Sequence, residues 1–294
     1  MKLHKIAAAL AFSALAAASQ AAPLVTNFFA STHGGFIAGT AVCVAGITAN
    51  CDLGTTPVTG LSGAEVEPLN LPAPGVLFNT VSWGIGFSNP ALQSSLQTAH
   101  FAGVNLTVNG AAQRIDSFIH NNNVINFNGD VGGINHLSAV NVFGSVSLTA
   151  GAGGFPDFPA PPVPGTNYFP GLSPVTFVET LNLGSDAACT AANGNNPLDS
   201  LCDDYFETAA LDATALFFTD AGGTQYFIEF GFDNGTAFVE NGVVLGKRIW
   251  TAEGLQSIVY TTARIFTVPE PTMLGLFGFA LVGVALSRRR KVAA

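Results

Sequence analysis

The residues best suited to chemistry are in the run Ser117-Phe118-Ile119-His120-Asn121-Asn122-Asn123-Val124-Ile125-Asn126-Phe127, where an imidazole stands among side-chain amides. Extended backbone sends alternate side chains to opposite faces, so His120 shares a face with Asn122, Val124 and Asn126, while Ile119, Ile125 and Phe127 point the other way. A polar row beside an apolar row is expected of a half-buried strand with a wet face. There the imidazole and amides could contact a sugar or an ion. The same residue types also serve structure, the amides tying up turn backbone and the imidazole packing at a sheet edge. Asp116 lies four residues before His120 and would meet it on a helix, but the surrounding residues read as extended.

Other reactive types are scattered. Glu65/Glu67 and Asp203/Asp204 are acidic pairs of the kind glycoside hydrolysis uses, but that reaction needs a set separation in space, and exposed turns explain both pairs as well. His33, His100 and His136 stand singly. The chain has no G-x-S-x-G elbow, no H-E-x-x-H, no P-loop and no EF-hand loop. Catalytic residues, cofactors and metal ligands are accordingly not expected, although an acidic surface can also hold calcium. The 4 cysteines fall into two close pairs, Cys43 with Cys51 and Cys189 with Cys202. Neither pair has C-x-x-C spacing and neither has a histidine close in sequence, which favours two local disulfides over zinc, although three connectivities are open. Each local loop would contribute up to about 3 kcal/mol by restricting the unfolded chain.

The elements that must position these residues read as strands. At residues 80–87 the odd positions Val81, Trp83, Ile85 and Phe87 are apolar and the even ones small or polar. Val140, Val142, Val146 and Leu148 repeat the pattern in part, as do Tyr226, Ile228, Phe230 and Phe232. Less regular candidates cover 104–108, 175–183, 236–244 and 258–266, with turns at Asp220-Ala221-Gly222-Gly223 and Asp233-Asn234-Gly235. Short strands between Gly/Asn/Pro turns, without a helical repeat, predict an all-β fold: an antiparallel two-sheet β-sandwich, jelly-roll-like, over residues 22–266. Residues 155–174 hold seven prolines, are expected to stay out of any sheet, and are read as a crossover within one domain, the alternative being a linker between two.

Both ends read as targeting segments. Lys2 and Lys5 precede an apolar run, and Ser19-Gln20-Ala21 offers the small residues a signal peptidase reads, so residues 1–21 are expected to be a signal helix. Residues 267–294 contain Pro269-Glu270-Pro271, an apolar run at about 273–286, and the basic cluster Arg288, Arg289, Arg290 and Lys291. As a helix the run is roughly 21–24 Å long, short against a hydrocarbon core of about 30 Å. The cations should stay cytoplasmic, leaving the body outside. Without the two ends, only Arg114, Lys247, Arg248 and Arg264 oppose the 19 carboxylates, a balance of −15 with Glu270 counted. Such a body repels nucleic acid and anionic lipid.

The order of Pro-Glu-Pro, short apolar helix and basic end resembles the PEP-CTERM sorting signal. His120 and Asn122, with Val81-Ser82-Trp83-Gly84 upstream, are similar to the THxN family of PEP-CTERM proteins, although Ile119 stands where that family has threonine and Val124 where proline is common. The resemblance implies an exported β protein handled by a signal peptidase and an exosortase, passing the inner membrane to the cell surface or matrix. With no dense cluster of His, Tyr, Arg and carboxylates in the sequence, the expected function is that of a non-enzymatic surface protein of the biofilm, adhering to or contacting exopolysaccharide, the alternative being a secreted polysaccharide-active enzyme. A neighbouring exopolysaccharide gene cluster would favour the first, a sugar-uptake cluster the second.

Overall fold

A computed structural model describes residues 25–43, 52–53, 77–83, 93–123, 136–151, 163, 166–178, 197–198, 203–209, 213–220 and 223–268. The expected signal helix, the tail from Pro269 onward, Glu65/Glu67, Ile85, Phe87 and residues 124–127 lie outside them. Among the described residues no helix is long and apolar enough to cross a membrane.

The described chain is all-β. Its strands are β1 (Asn27–Ile37), β2 (Val42–Cys43), β3 (Asp52–Leu53), β4 (Leu77–Phe78), β5 (Thr80–Trp83), β6 (Ser94–His100), β7 (Val104–Thr107) and β8 (Gln113–Asn121). Then follow β9 (Leu137–Ala150), β10 (Tyr168–Val178), β11 (Asp204–Thr208), β12 (Thr214–Thr219), β13 (Gln225–Asp233), β14 (Phe238–Asn241), β15 (Lys247–Thr251) and β16 (Gln256–Val268). They form two antiparallel sheets. The first runs β14-β15-β11-β10-β9-β1-β4, with β2 on β9 and β7 on β1; the second runs β12-β13-β16-β8-β6-β5-β3.

The inner faces meet through aromatic contacts across the gap. Trp83 on β5 lies 4.8 Å from Phe177 on β10, and Phe28 on β1 lies 5.3 Å from Phe217 on β12. Alternation explains this packing. Val81 and Trp83 are fully buried, as are Val140, Tyr226 and Ile228, and Val142 is nearly so. Burying one such side chain is worth roughly 1.5–3 kcal/mol. Phe230, expected in the interior, is only half-buried and packs beside the core.

The core has two halves. One gathers Trp83, Val81, Leu96, Val140, Phe177 and Phe206; the other gathers Phe28, Leu106, Leu148, Phe217, Tyr226 and Ile265. Between them runs a polar seam. Thr32 on β1 donates to the Ile115 carbonyl at 2.9 Å, and the His100 ring on β6 reaches the Gly34 carbonyl on β1 at 2.9 Å. Gly34 is required there, because a Cβ would run into the carbonyl of Phe143 on β9.

The second core half also holds both ends of the described body. The Val25 amide donates to the Tyr226 hydroxyl, and Tyr226 sits opposite Thr267 near the end of β16.

The reading of residues 155–174 as excluded from a sheet is corrected. β10 begins at Tyr168 and includes Pro170 and Pro174, opposite Ser145 and Asn141 of β9. Its other side pairs with β11 only from Val175 onward. Both prolines therefore sit where β10 has one neighbour, and the missing N–H interrupts no second ladder.

Candidate functional site

Three polar constellations stand out, and each is built by pairing between strands. The first is the His120 row. β8 carries a bulge: Thr261 of β16 faces Asp116 and Thr262 faces Arg114, leaving Ile115 as the extra residue. An extra residue reverses which side chains face inward. After the bulge, Phe118, His120 and Asn122 point at the opposing sheet, as shown by Phe118 meeting Phe206 of β11 at 6.3 Å. The shared face of His120 and Asn122 is as expected, but a wet face is not what the structure shows. Each is only 1% exposed.

His120 is held on three sides. Its ring stacks on Trp83 at 5.5 Å and 20°, takes the edge of Phe177 at 5.1 Å, and places Nδ1 2.7 Å from Thr251 Oγ1 of β15. The Thr251 hydroxyl is also 3.3 Å from the Asp204 carbonyl. Donation to that carbonyl leaves Nδ1–H of His120 as the donor to Thr251 and Nε2 as a bare acceptor. Nε2 has no hydrogen-bond partner, nor do Oδ1 and Nδ2 of Asn122. Burial lowers the pKa of His120 to about 3. The imidazole is thus neutral at ordinary pH and out of reach of a soluble sugar or ion. Of the flanking amides, Asn123 ties up backbone as expected, its Nδ2 donating to the Gln93 carbonyl, whereas Asn121 Nδ2 donates to a side chain, Ser95 Oγ of β6.

The second constellation is His100 with Asp116, 3.1 Å apart and both mostly buried. Asp116 therefore partners His100, not His120. Burial opposes the protonated form of His100, but the hydrogen bond and charge of Asp116 and the Gly34 carbonyl outweigh it and raise the pKa. Both ring nitrogens are engaged, Nδ1 by Asp116 and Nε2 by Gly34. A general base needs one nitrogen free for substrate. The pair serves to join the two sheets across the seam.

The third constellation was not legible in the sequence. Glu207 on β11, with its side chain 2% exposed, accepts the backbone N–H groups of Val243, Val244 and Leu245 at 2.9, 2.7 and 2.9 Å. It also accepts Nε and Nη2 of Arg248 at 2.9 and 2.8 Å. The guanidinium lies over the Tyr205 ring at 4.2 Å. Burial disfavours the Glu207 carboxylate, but the three amides and Arg248 more than compensate and lower its pKa to about 2. The carboxylate fixes the turn between β14 and β15. Glu207→Gln replaces one accepting oxygen with a donor facing N–H groups and leaves Arg248 without a counter-charge. It should cost about 3–5 kcal/mol, measured as a lower urea midpoint with faster amide exchange at 243–245. An unchanged midpoint would show the turn to be held by other contacts.

The remaining sequence candidates are placed as follows. Asp203 and Asp204 are completely buried instead of lying on an exposed turn, with Asp203 accepting the Leu198 amide at 2.7 Å. Among the described residues no three His, Cys, Asp or Glu side chains are grouped to hold a metal ion. Cys43 is disulfide-bonded to a partner outside the described residues, where Cys51, Cys189 and Cys202 all lie. Pro269, Glu270, Pro271, Arg288, Arg289, Arg290 and Lys291 also fall outside.

No curated protein matches the chain. The family model that matches does not reach the His120 and Trp83 stretches, which the fold brings into contact. Residues 267–291, which begin on the last two residues of β16, match the PEP-CTERM protein-sorting motif, and the chain therefore carries the signal of an exported protein sorted by an exosortase to the cell surface.

Proposed function

We propose that the chain is a non-enzymatic protein of the cell envelope that acts by adhesion or carbohydrate contact within the exopolysaccharide matrix of a biofilm. The observation that carries this reading is the sorting motif at residues 267–291, joined without a spacer to the last strand of the folded body. A signal peptidase would release the N-terminus after Ala21, and the body would pass the inner membrane before an exosortase acts. Local disulfides Cys43–Cys51 and Cys189–Cys202 suit that oxidising destination.

The polar groups most able to do acid–base chemistry are engaged otherwise. His120 is enclosed by aromatic rings, and His100 has both nitrogens bonded. Their positions support a scaffold more than an active site. The test is to delete the gene in a producing strain and measure attachment and matrix retention, while assaying the purified full chain on the strain's own exopolysaccharide. Loss of attachment without depolymerisation is expected. Depolymerisation by the pure chain, with attachment intact in the deletion strain, would replace this reading with that of a secreted polysaccharide-active enzyme.

A further inference from the structure

A sheet edge exposes unpaired N–H and C=O groups, and folded proteins blunt it by keeping it short or by placing charge or proline on it. Among the described residues most open edges of this body are blunted in that way. β3 and β4, which end the second and first sheets, are two residues each. β14, at the other end of the first sheet, carries Glu240, and the stretch of β10 before Val175 holds Pro170 and Pro174. β12, at the other end of the second sheet, lacks all of these. Thr214-Ala215-Leu216-Phe217-Phe218-Thr219 has no charge, no proline and no glycine, the composition of a segment that pairs readily with another strand.

The Phe230 N–H donates to the Ala213 carbonyl, and Ala215 stands opposite Ile228. Hydrogen-bonded positions alternate along an antiparallel pair, so Ala213 and Ala215 bond to β13 while the backbone groups of Thr214 and Leu216 face the open side. A bulge follows at Phe217 and keeps that ring in the core, 5.3 Å from Phe28. Leu216 begins an apolar row across the outer face: it stands opposite Phe227, which stands opposite Phe266 and stacks on it at 5.6 Å. Tyr226, Ile228 and Ile265 beside them are buried in the core, which fixes the row outward. The row stops at the open edge, where Leu216 is 47% exposed.

We propose that β12 is a self-association edge, on which two copies of the chain pair β12 to β12, antiparallel and centred on Leu216, so that their second sheets become continuous. The proposal rests on the adhesion reading and names its partner, a second copy. Centring on Leu216 lets the two Leu216 residues exchange both backbone hydrogen bonds and carries the apolar row through the join. A parallel pairing would set that row against the partner's inner face. Charge permits the approach here. The body is at −15, but beside β12 Glu229 is paired with Arg264 at 2.6 Å, and Asp220 after it is buried. The two-fold closes at a dimer, since the other edges are blunted. Thr219 stands opposite Gln225 and Gln225 opposite Val268, so β12 ends where the sorting tail begins. Antiparallel pairing therefore points the two tail ends in opposite directions. It does not suit two chains held side by side by their tails in one membrane; it suits chains on facing surfaces or released into the matrix.

The test uses the full chain in detergent, with micelles in excess so that each holds one tail. Sedimentation should show a monomer–dimer equilibrium that Leu216→Lys weakens roughly ten-fold or more. Leu216→Cys should cross-link to its own copy under mild oxidation, because Cα atoms about 5.5 Å apart suit a disulfide. Val244→Cys, on the exposed turn between β14 and β15, should not. In the wild type, amide exchange at 214 and 216 should slow as concentration rises, a readout that needs no variant to fold. A chain that stays monomeric, or a dimer that ignores Leu216→Lys and leaves those amides unprotected, overturns the edge. Amides at 214 and 216 that slow only when matrix extract is added assign the edge to another protein and overturn self-pairing. The deletion strain separates this proposal from the reading beneath it. If the chain with Leu216→Lys restores attachment in full, self-pairing is overturned as the means of adhesion and carbohydrate contact is kept. If deletion leaves attachment intact, both are overturned.

Discussion

A chain that lacks Pro269, Glu270 and Pro271 but keeps residues 273–291 is expected to accumulate at full length in the membrane fraction of a host with an exosortase. The intact chain should instead appear at the surface or in the matrix, shortened by its tail. Both chains keep the same apolar run and the same Arg288, Arg289, Arg290 and Lys291, so hydrophobicity and the positive-inside preference are held constant. What differs is the recognition element. The effect should be close to all-or-none, because a chain that is never cut has no other route off the membrane. Fractionation and intact-mass measurement decide it. Equal retention of both chains at full length would make the tail a plain anchor and remove the main support for a matrix role.

The geometry of the body bears on this experiment. β16 runs without interruption to Val268, and the sorting motif begins at Thr267. The three deleted residues are therefore also the spacer between the folded sheet and the apolar run. A control that replaces Pro269-Glu270-Pro271 with Gly-Ser-Gly keeps the spacing and removes the motif. It should be trapped like the deletion. If it is processed like the intact chain, the deletion acted by crowding the enzyme against the sandwich.

What the sequence revealed follows from where its information is local. A sorting signal is read along the chain, so its order of motif, apolar run and cations was legible without a fold. Strands with large apolar residues at alternate positions were legible too, as in Val81 and Trp83 or Tyr226 and Ile228. β1 escaped because its inward positions include Ala30, Thr32 and Gly34, small or polar residues that the seam between the core halves requires. β6 and β15 escaped for a related reason, Ser94 and Thr98 being buried on one and the other opening with Lys247-Arg248. The carboxylate that holds Arg248 is forty-one positions away, a partnership that spacing cannot show. His120 was assigned to the correct strand and its shared face with Asn122 was right, Val124 and Asn126 lying outside the described residues, but a polar row gives no sign that a bulge at Ile115 and rings on both sides enclose it.

That enclosure makes stability depend on acid in a way that separates the two inner histidines. For His120 the unfolded pKa is the ordinary 6.5 and the folded one about 3. Between these values the unfolded chain holds a proton that the folded chain lacks, so stability falls as pH drops below about 6.5, by up to about 1.4 kcal/mol per unit. His100 acts in the opposite sense. Its folded pKa is raised, so its contribution is complete below the unfolded value and is lost as pH rises through the folded one. Glu207 enters last, with stability lost as pH falls from its ordinary 4.5 toward about 2. The wild type should therefore be most stable near pH 6.5, and between pH 6.5 and 4.5 its decline should come chiefly from His120.

His120→Phe isolates this contribution. A flat ring of similar size can keep the contacts with Trp83 and Phe177, and Thr251 retains the Asp204 carbonyl as acceptor. The change also removes the unpartnered Nε2 from the interior, so stability at pH 7 should shift by less than about 1.5 kcal/mol, as for other volume-conserving core replacements. The variant should lose most of the decline between pH 6.5 and 4.5 and unfold only when Glu207 and the other carboxylates protonate. Urea midpoints measured across pH 4.5–8 for both proteins give the two slopes directly. Parallel slopes would mean that His120 is protonated in the folded state, which a ring closed in by Trp83, Phe177 and Thr251 does not allow.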